Sequence, residues 1–347
     1  MTIRHQIPLP RRPLPRRPRL RTAVAALAAA VLPLALVGTV SSASGATSDP
    51  QTFTVLVGSE SPNMATEGMW FLPKDVFIHP GDTVTWKANS FEIHTVTFLG
   101  DKDPSTVMPF NPGNPDDVTR EGGDTYDGTS YYNSGLLTSV PDGGDAGPLV
   151  PGTKLYPDYS LTFPDAGDFG YLCVVHGMAM QGTVHVLPAD VALPFTQAEY
   201  DAQAAYQADY LRLDGRQMLR EFRQQADRHH VIVGGDDGVV ASMRFIHHRV
   251  RIHRGEMVTF TNPVINGNTG MGEPHTVTFG EEKQGPDVVS RYGHPWHFHG
   301  GALSSGQLLP GDSFTVRFRK PGTYHYICVL HDGMGMVGTV VVLPWHG

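Results

Sequence analysis

Cysteine is nearly absent: the 347 residues contain two, Cys173 and Cys328. So few, so far apart, exclude a disulfide framework as the main source of stability and leave each thiol to be explained by its own surroundings. Acidic residues are absent from the first 46 positions, which carry seven arginines ahead of the apolar run AVAALAAAVLPLALVGTV. A basic start, an apolar stretch and the small residues of SSASGA describe an export signal over residues 1–46, cleaved after Ala46. The alternative is a retained membrane anchor, because Ala23 to Val40 reaches the lower length of a spanning helix, although Pro33 and Gly38 interrupt it. Arg11-Arg12 and Arg16-Arg17 are the only trace of a twin-arginine route. Basic residues are then scarce. Removing the seven leader arginines from 26 Lys+Arg leaves 19 against 34 Asp+Glu, a net charge near −15. That balance excludes nucleic acid as a partner.

What is present is a duplication. MWFLPKDVFIHPGDTVTW (69–86) lies over MRFIHHRVRIHRGEMVTF (243–260) without a gap, identical at eight of eighteen positions. VLVG (55–58) matches VIVG (231–234), HTVTF (94–98) recurs at 275–279, and GTV (182–184) recurs at 338–340. Order and spacing are kept, which indicates two copies of one domain over residues 51–187 and 229–344. Runs such as DTVTW, YSLTF and SFTVRF alternate polar and apolar residues between PGD, RGE and KPGT turns, so each copy reads as an all-β sandwich. Residues 188–228 differ in character. Thr196 and Glu199 form a capping-box pattern ahead of helix formers, which predicts a helical linker with a break at Asp214-Gly215 and a packed face of Tyr200, Tyr206, Tyr210, Leu213 and Leu219.

Both cysteines lie in corresponding loops, YLCVVHGMAM (171–180) and YICVLHDGMGM (326–336). With the HTVTF histidine upstream, each copy supplies two imidazoles, one thiolate and a thioether: His94, Cys173, His176 and a methionine, then His275, Cys328, His331 and a methionine. A trigonal Cys-His-His set with a weak axial Met is the donor set of blue copper, whereas zinc takes four strong donors or three and a water. Counting back from GTV selects Met180 and Met336 as axial donors, with Met178, and less so Met334, as alternatives. A buried small hydrophobe would explain either cysteine alone, but not both at the same distance from a histidine. His79 and His253, in the turns HPGD and HRGE, are expected to be exposed.

Both halves resemble cupredoxins, the plastocyanin and amicyanin family, in the early histidine of NSFEIHTVTF and in the late Cys-His-Met loop. In the second copy the early segment has Asn262 and a longer approach through NGNTGMGEPH to His275. The resemblance implies two Greek-key sandwiches, two type 1 copper ions and one-electron exchange with redox proteins or small redox molecules, and it leaves homo-oligomerisation open. A second resemblance is local: GHPWHFHGG (293–301) is similar to a multicopper-oxidase segment and would place His294, His297 and His299 at metal positions. Oxidases and copper nitrite reductases also need histidine beside the blue-copper cysteine. Here the neighbours are Leu172 and Val174, and Ile327 and Val329. The expectation is an exported electron carrier rather than a turnover enzyme, with a two-domain oxidase or nitrite reductase, or a copper storage or delivery protein, as alternatives.

Overall fold

The computed structural model describes residues 49–139, 153–265 and 272–345; the predicted export signal lies outside them. Strand Thr52–Glu60 pairs in parallel with Thr83–Ala88 and antiparallel with Thr66–Leu72, and Asp158–Thr162 completes that side. The facing sheet runs Asp75–Ile78, Gly177–Val186, Gly167–Cys173, Thr97–Phe98, Tyr132–Ser134 and Arg120–Glu121. Hairpin neighbours are combined with pairs distant in sequence, such as Thr83–Ala88 beside Asp158–Thr162 and Asp75–Ile78 beside Gly177–Val186, as in a Greek-key sandwich. The later half repeats the plan, with Phe245–Ile246, His230–Val233, Met257–Thr261 and Ser313–Arg317 on one side. Arg249–His253, Val337–Leu343, Gly322–Ile327, Thr278–Phe279, Leu303–Ser305 and Arg291–Tyr292 form the other.

The predicted alternation decides which side chains meet. In Thr83–Ala88, Val84 and Trp86 point inward and are fully buried, and in Met257–Thr261, Val258 and Phe260 do the same. Each core has an aromatic centre of one geometry. Tyr171 meets Trp86 at 5.1 Å and 75° and Phe71 at 4.7 Å and 66°. Tyr326 meets Phe260 and Phe245 at the same distances and angles. The two cores thus share one ring packing, and edge-to-face aromatic pairs add about 0.5–1.5 kcal/mol each beyond area burial.

Between the sandwiches, helix Gln197–Gln225 starts at the predicted capping box: Thr196 Oγ1 accepts from Glu199 N at 3.4 Å, and Glu199 Oε2 accepts from Thr196 N at 2.7 Å. Two expectations for it are corrected. The helix does not break at Asp214-Gly215. Gly215 sits on the buried face, where a Cβ would meet Thr66 at 2.8 Å, so its missing side chain allows close packing and does not mark a stop. The packed face is Tyr200, Ala204, Ala208, Leu211, Met218, Leu219 and Phe222. Tyr206, Tyr210 and Leu213 are exposed, because helical periodicity turns them away. Tyr210 still stacks on Trp70 at 6.1 Å.

That face packs on both sandwiches at once, with Ala65 and Leu72 from the first and Ile232, Val240 and Ile246 from the second in one apolar cluster. The halves also share a sheet. Strand Val240–Ser242 pairs antiparallel with Thr66–Gly68 at the edge of the first sandwich, and Met69 N donates to Val239 O at 2.9 Å. Arg244 finishes the seam by donating to the carbonyls of Asn63, Met64, Met243 and Met334. His79 and His253 are half-buried, not exposed as expected. His79 Nε2 lies 2.8 Å from Val191 O, in the chain entering the helix, and His253 Nδ1 lies 3.7 Å from Glu256.

Candidate metal centres

The repeated HTVTF does several jobs at once. Its histidine enters the cage, and the following Thr95 or Thr276 donates its backbone N–H to the cysteine sulfur at 3.3 Å. The same threonine's Oγ1 accepts from the residue after the cysteine, Val174 or Val329, at 2.9 Å. The early strand and the cysteine strand are thereby clamped in register, and the backbone donor stabilises an anionic sulfur. Beneath each histidine lies the glycine of VLVG or VIVG. Gly58 and Gly234 have φ of +75° and +63°, and a Cβ there would reach His94 Nε2 at 2.5 Å and His275 Nε2 at 1.7 Å. Both conditions select glycine, and the backbone becomes the floor on which the imidazole rests.

His94, Cys173 and His176 converge: Cys173 Sγ is 3.3 Å from His176 Nδ1 and 4.0 Å from His94 Nδ1, and the two Nδ1 atoms are 3.2 Å apart. His275, Cys328 and His331 reproduce this with 3.4, 4.0 and 3.1 Å. Both cysteines are buried and free of disulfides. Burial alone would raise the thiols, but the charge of His331 and hydrogen bonds from His275 and His331 outweigh it and bring Cys328 down to about 5. At Cys173, burial is likewise outweighed by the charge and hydrogen bonding of His176 and His94, and the thiol lies well below its ordinary range. Met180 and Met336, the expected axial donors, are fully buried in the two cores. Met178 is exposed, at 57%, and Met334 packs into the core of the other sandwich.

Beyond the cages the two sites differ. His94 Nε2 contacts Ser90 Oγ at 3.0 Å and Glu67 Oε1 at 3.8 Å, whereas His275 Nε2 is buried with no hydrogen-bond partner. Desolvation of Glu67 outweighs its contact with His94 and raises its carboxyl above the usual range. Sequence reasoning missed Glu67. It also missed Glu92 and Glu273, each two residues before the early histidine of its copy, in the segments NSFEIH and GEPH. That matched spacing was the available signal.

His294, His297 and His299 are each exposed, on a loop anchored by buried Phe298 against Phe279, Phe318 and Tyr324. They are not among the groups of described residues whose donor atoms lie close enough to share an ion.

The model for copper binding proteins of the plastocyanin/azurin family matches residues 229–343. Plastocyanin of Ginkgo biloba is 34% identical over 116 residues, covering 32% of this chain and 97% of that protein. The chain belongs to the plastocyanin/azurin family. Plastocyanin of Sambucus nigra is 33% identical over 114 residues, again 32% of this chain and 97% of that protein. Among solved structures, the Cu(I) form of an amicyanin mutant matches at 24% identity and a TM-score of 0.23, covering 34% of this chain and 85% of that one. Membership in this copper-binding family agrees with the chemistry of the cages: one buried cysteine sulfur and two imidazole Nδ1 atoms within 3.1–4.0 Å of one another.

Proposed function

We propose that the protein is an exported blue copper electron carrier made of two cupredoxin domains, residues 51–187 and 229–344, joined by a linker over 188–228. Each domain holds one type 1 copper, through His94, Cys173, His176 and Met180 in the first and His275, Cys328, His331 and Met336 in the second. The observation that carries this reading is the repetition of one His-Cys-His cage, with matching separations, at the two cores. Bound copper supplies one-electron cycling between Cu(II) and Cu(I); the chain supplies a rigid, dry cage. The threonine N–H groups and the glycine floors hold the sulfur and imidazoles in place, which limits rearrangement when an electron moves. Partners are redox proteins or small redox molecules.

The test is metal counting with a visible spectrum. The intact chain should bind two coppers and show sulfur-to-copper absorption. Cys173→Ser and Cys328→Ser should each remove about half of it while the fold is retained. A spectrum unchanged by either substitution would remove the corresponding site.

A further inference from the structure

The two cages do not face solvent with their late histidines; they face each other. With Nδ1 turned into each cage, His176 and His331 direct Nε2 toward the seam between the sandwiches. There they meet Glu92 from the first half and Glu273 from the second. His331 Nε2 lies 3.2 Å from Glu273 Oε1 and 3.5 Å from Glu92 Oε2, and His176 Nε2 lies 3.5 Å from Glu273 Oε2. All four side chains are more than nine-tenths buried, and His176 Nε2 has no hydrogen-bond partner. The donor atoms of Glu92, His176 and Glu273 lie within 4.8 Å of one another.

Charge-assisted hydrogen bonds from imidazole to carboxylate settle at about 2.7–2.9 Å. Separations of 3.2–3.5 Å are longer, and they fall near the donor-to-donor spacing of about 3.3 Å that metal-to-ligand bonds of about 2.0–2.1 Å would set. The copper cages show the same spacing between their nitrogens, 3.1 and 3.2 Å. Two carboxylates buried in one seam also need positive charge to offset their desolvation. Glu273 is held in place from behind: its N–H donates to Asp236 Oδ2 at 3.0 Å and its carbonyl accepts from Asn262 Nδ2 at 3.0 Å.

We propose that Glu92, Glu273 and the Nε2 atoms of His176 and His331 form a third metal site, for a divalent first-row transition ion such as Zn²⁺ or Cu²⁺. Each half contributes one glutamate and one histidine. An imidazole that joined such an ion through Nε2 would release the proton held there to solvent, while its Nδ1 would stay assigned to the copper of its own cage. The proposal rests on the two-copper reading, because it assigns Nδ1 of both histidines to copper.

Co²⁺ is the probe. The copper-loaded protein, reduced to colourless Cu(I), is titrated with Co²⁺ under argon. One equivalent should bind and give the visible bands of a four-coordinate ion, while the copper count stays at two. After reoxidation in the presence of Co²⁺, coupling through the shared rings should broaden the Cu(II) resonance. Glu92→Gln and Glu273→Gln together should lose the Co²⁺ bands and keep the blue colour, which also reports that the variant has folded. Two coppers with no bound Co²⁺, or Co²⁺ binding that survives in the glutamine variant, would overturn the third site, leaving the glutamates as hydrogen-bond acceptors only. A copper count below two would instead count against the parent reading.

Discussion

At the scale of single residues, the chemistry of each cage depends on atoms that are not ligands. Gly234 is the clearest case. Alanine at this position would put a methyl group 1.7 Å from His275 Nε2, at a backbone angle that side chains rarely adopt. Gly234→Ala should therefore cost about 2–4 kcal/mol, combining strain with overpacking, and should remove the second site's colour while leaving the first. Denaturant unfolding and a visible spectrum of the same sample check both parts; retention of both colours would show that the imidazole can move aside. The cysteines and histidines were legible in the sequence because their types and spacings recur. Glu92 and Glu273 were present in the same quoted segments but could not be read as a pair. Glu92 meets His331 and Glu273 meets His176 across the two halves, and only the seam brings them together. Met180 and Met178 show the same limit at short range: counting from GTV favours one, and the structure buries Met180 and exposes Met178.

At the scale of elements, strands were easier to read than the helix. Alternation in DTVTW or SFTVRF depends on local pleating and a single inner face, so it carries straight into the sandwich. The helix start was also local, fixed by Thr196 and Glu199. Its far end and its packed face were not, because they depend on what the two sandwiches present. Asp-Gly reads as a break when the chain is considered alone, yet here the glycine admits Thr66. A buried helical glycine of this kind inverts the usual propensity. Glycine to alanine in an exposed helix interior stabilises by about 0.8–1.0 kcal/mol. Gly215→Ala should instead destabilise by about 1–3 kcal/mol through overpacking against Thr66. Tyr206→Ala, at a side chain 77% exposed, should change stability by less than about 0.5 kcal/mol. Urea unfolding of the two variants separates a packed glycine from a tolerated one.

At the scale of the whole molecule, the halves share a strand plan but are not independent in construction. The first sandwich takes its edge partner, Val240–Ser242, from the second half, and the shared helix covers apolar surface on both. A fragment ending at residue 187 should thus expose the edge strand Thr66–Leu72 and associate with itself. Mixing it with a fragment covering 188–345 should restore a one-to-one complex, measured by size-exclusion chromatography with light scattering. A monodisperse, monomeric 49–187 fragment would show that the edge closes without its partner. Strand donation also imposes an order in time. All of the first sandwich's own strands have been synthesised by residue 186, but its open edge must wait for about 55 more residues, a few seconds at the usual elongation rate. During that interval the nascent first half is a template for pairing with a neighbouring copy of itself. The long helix is made in the same interval, so its early docking on Thr66–Leu72 would hold the half-built chain apart from its neighbours until the missing strand arrives.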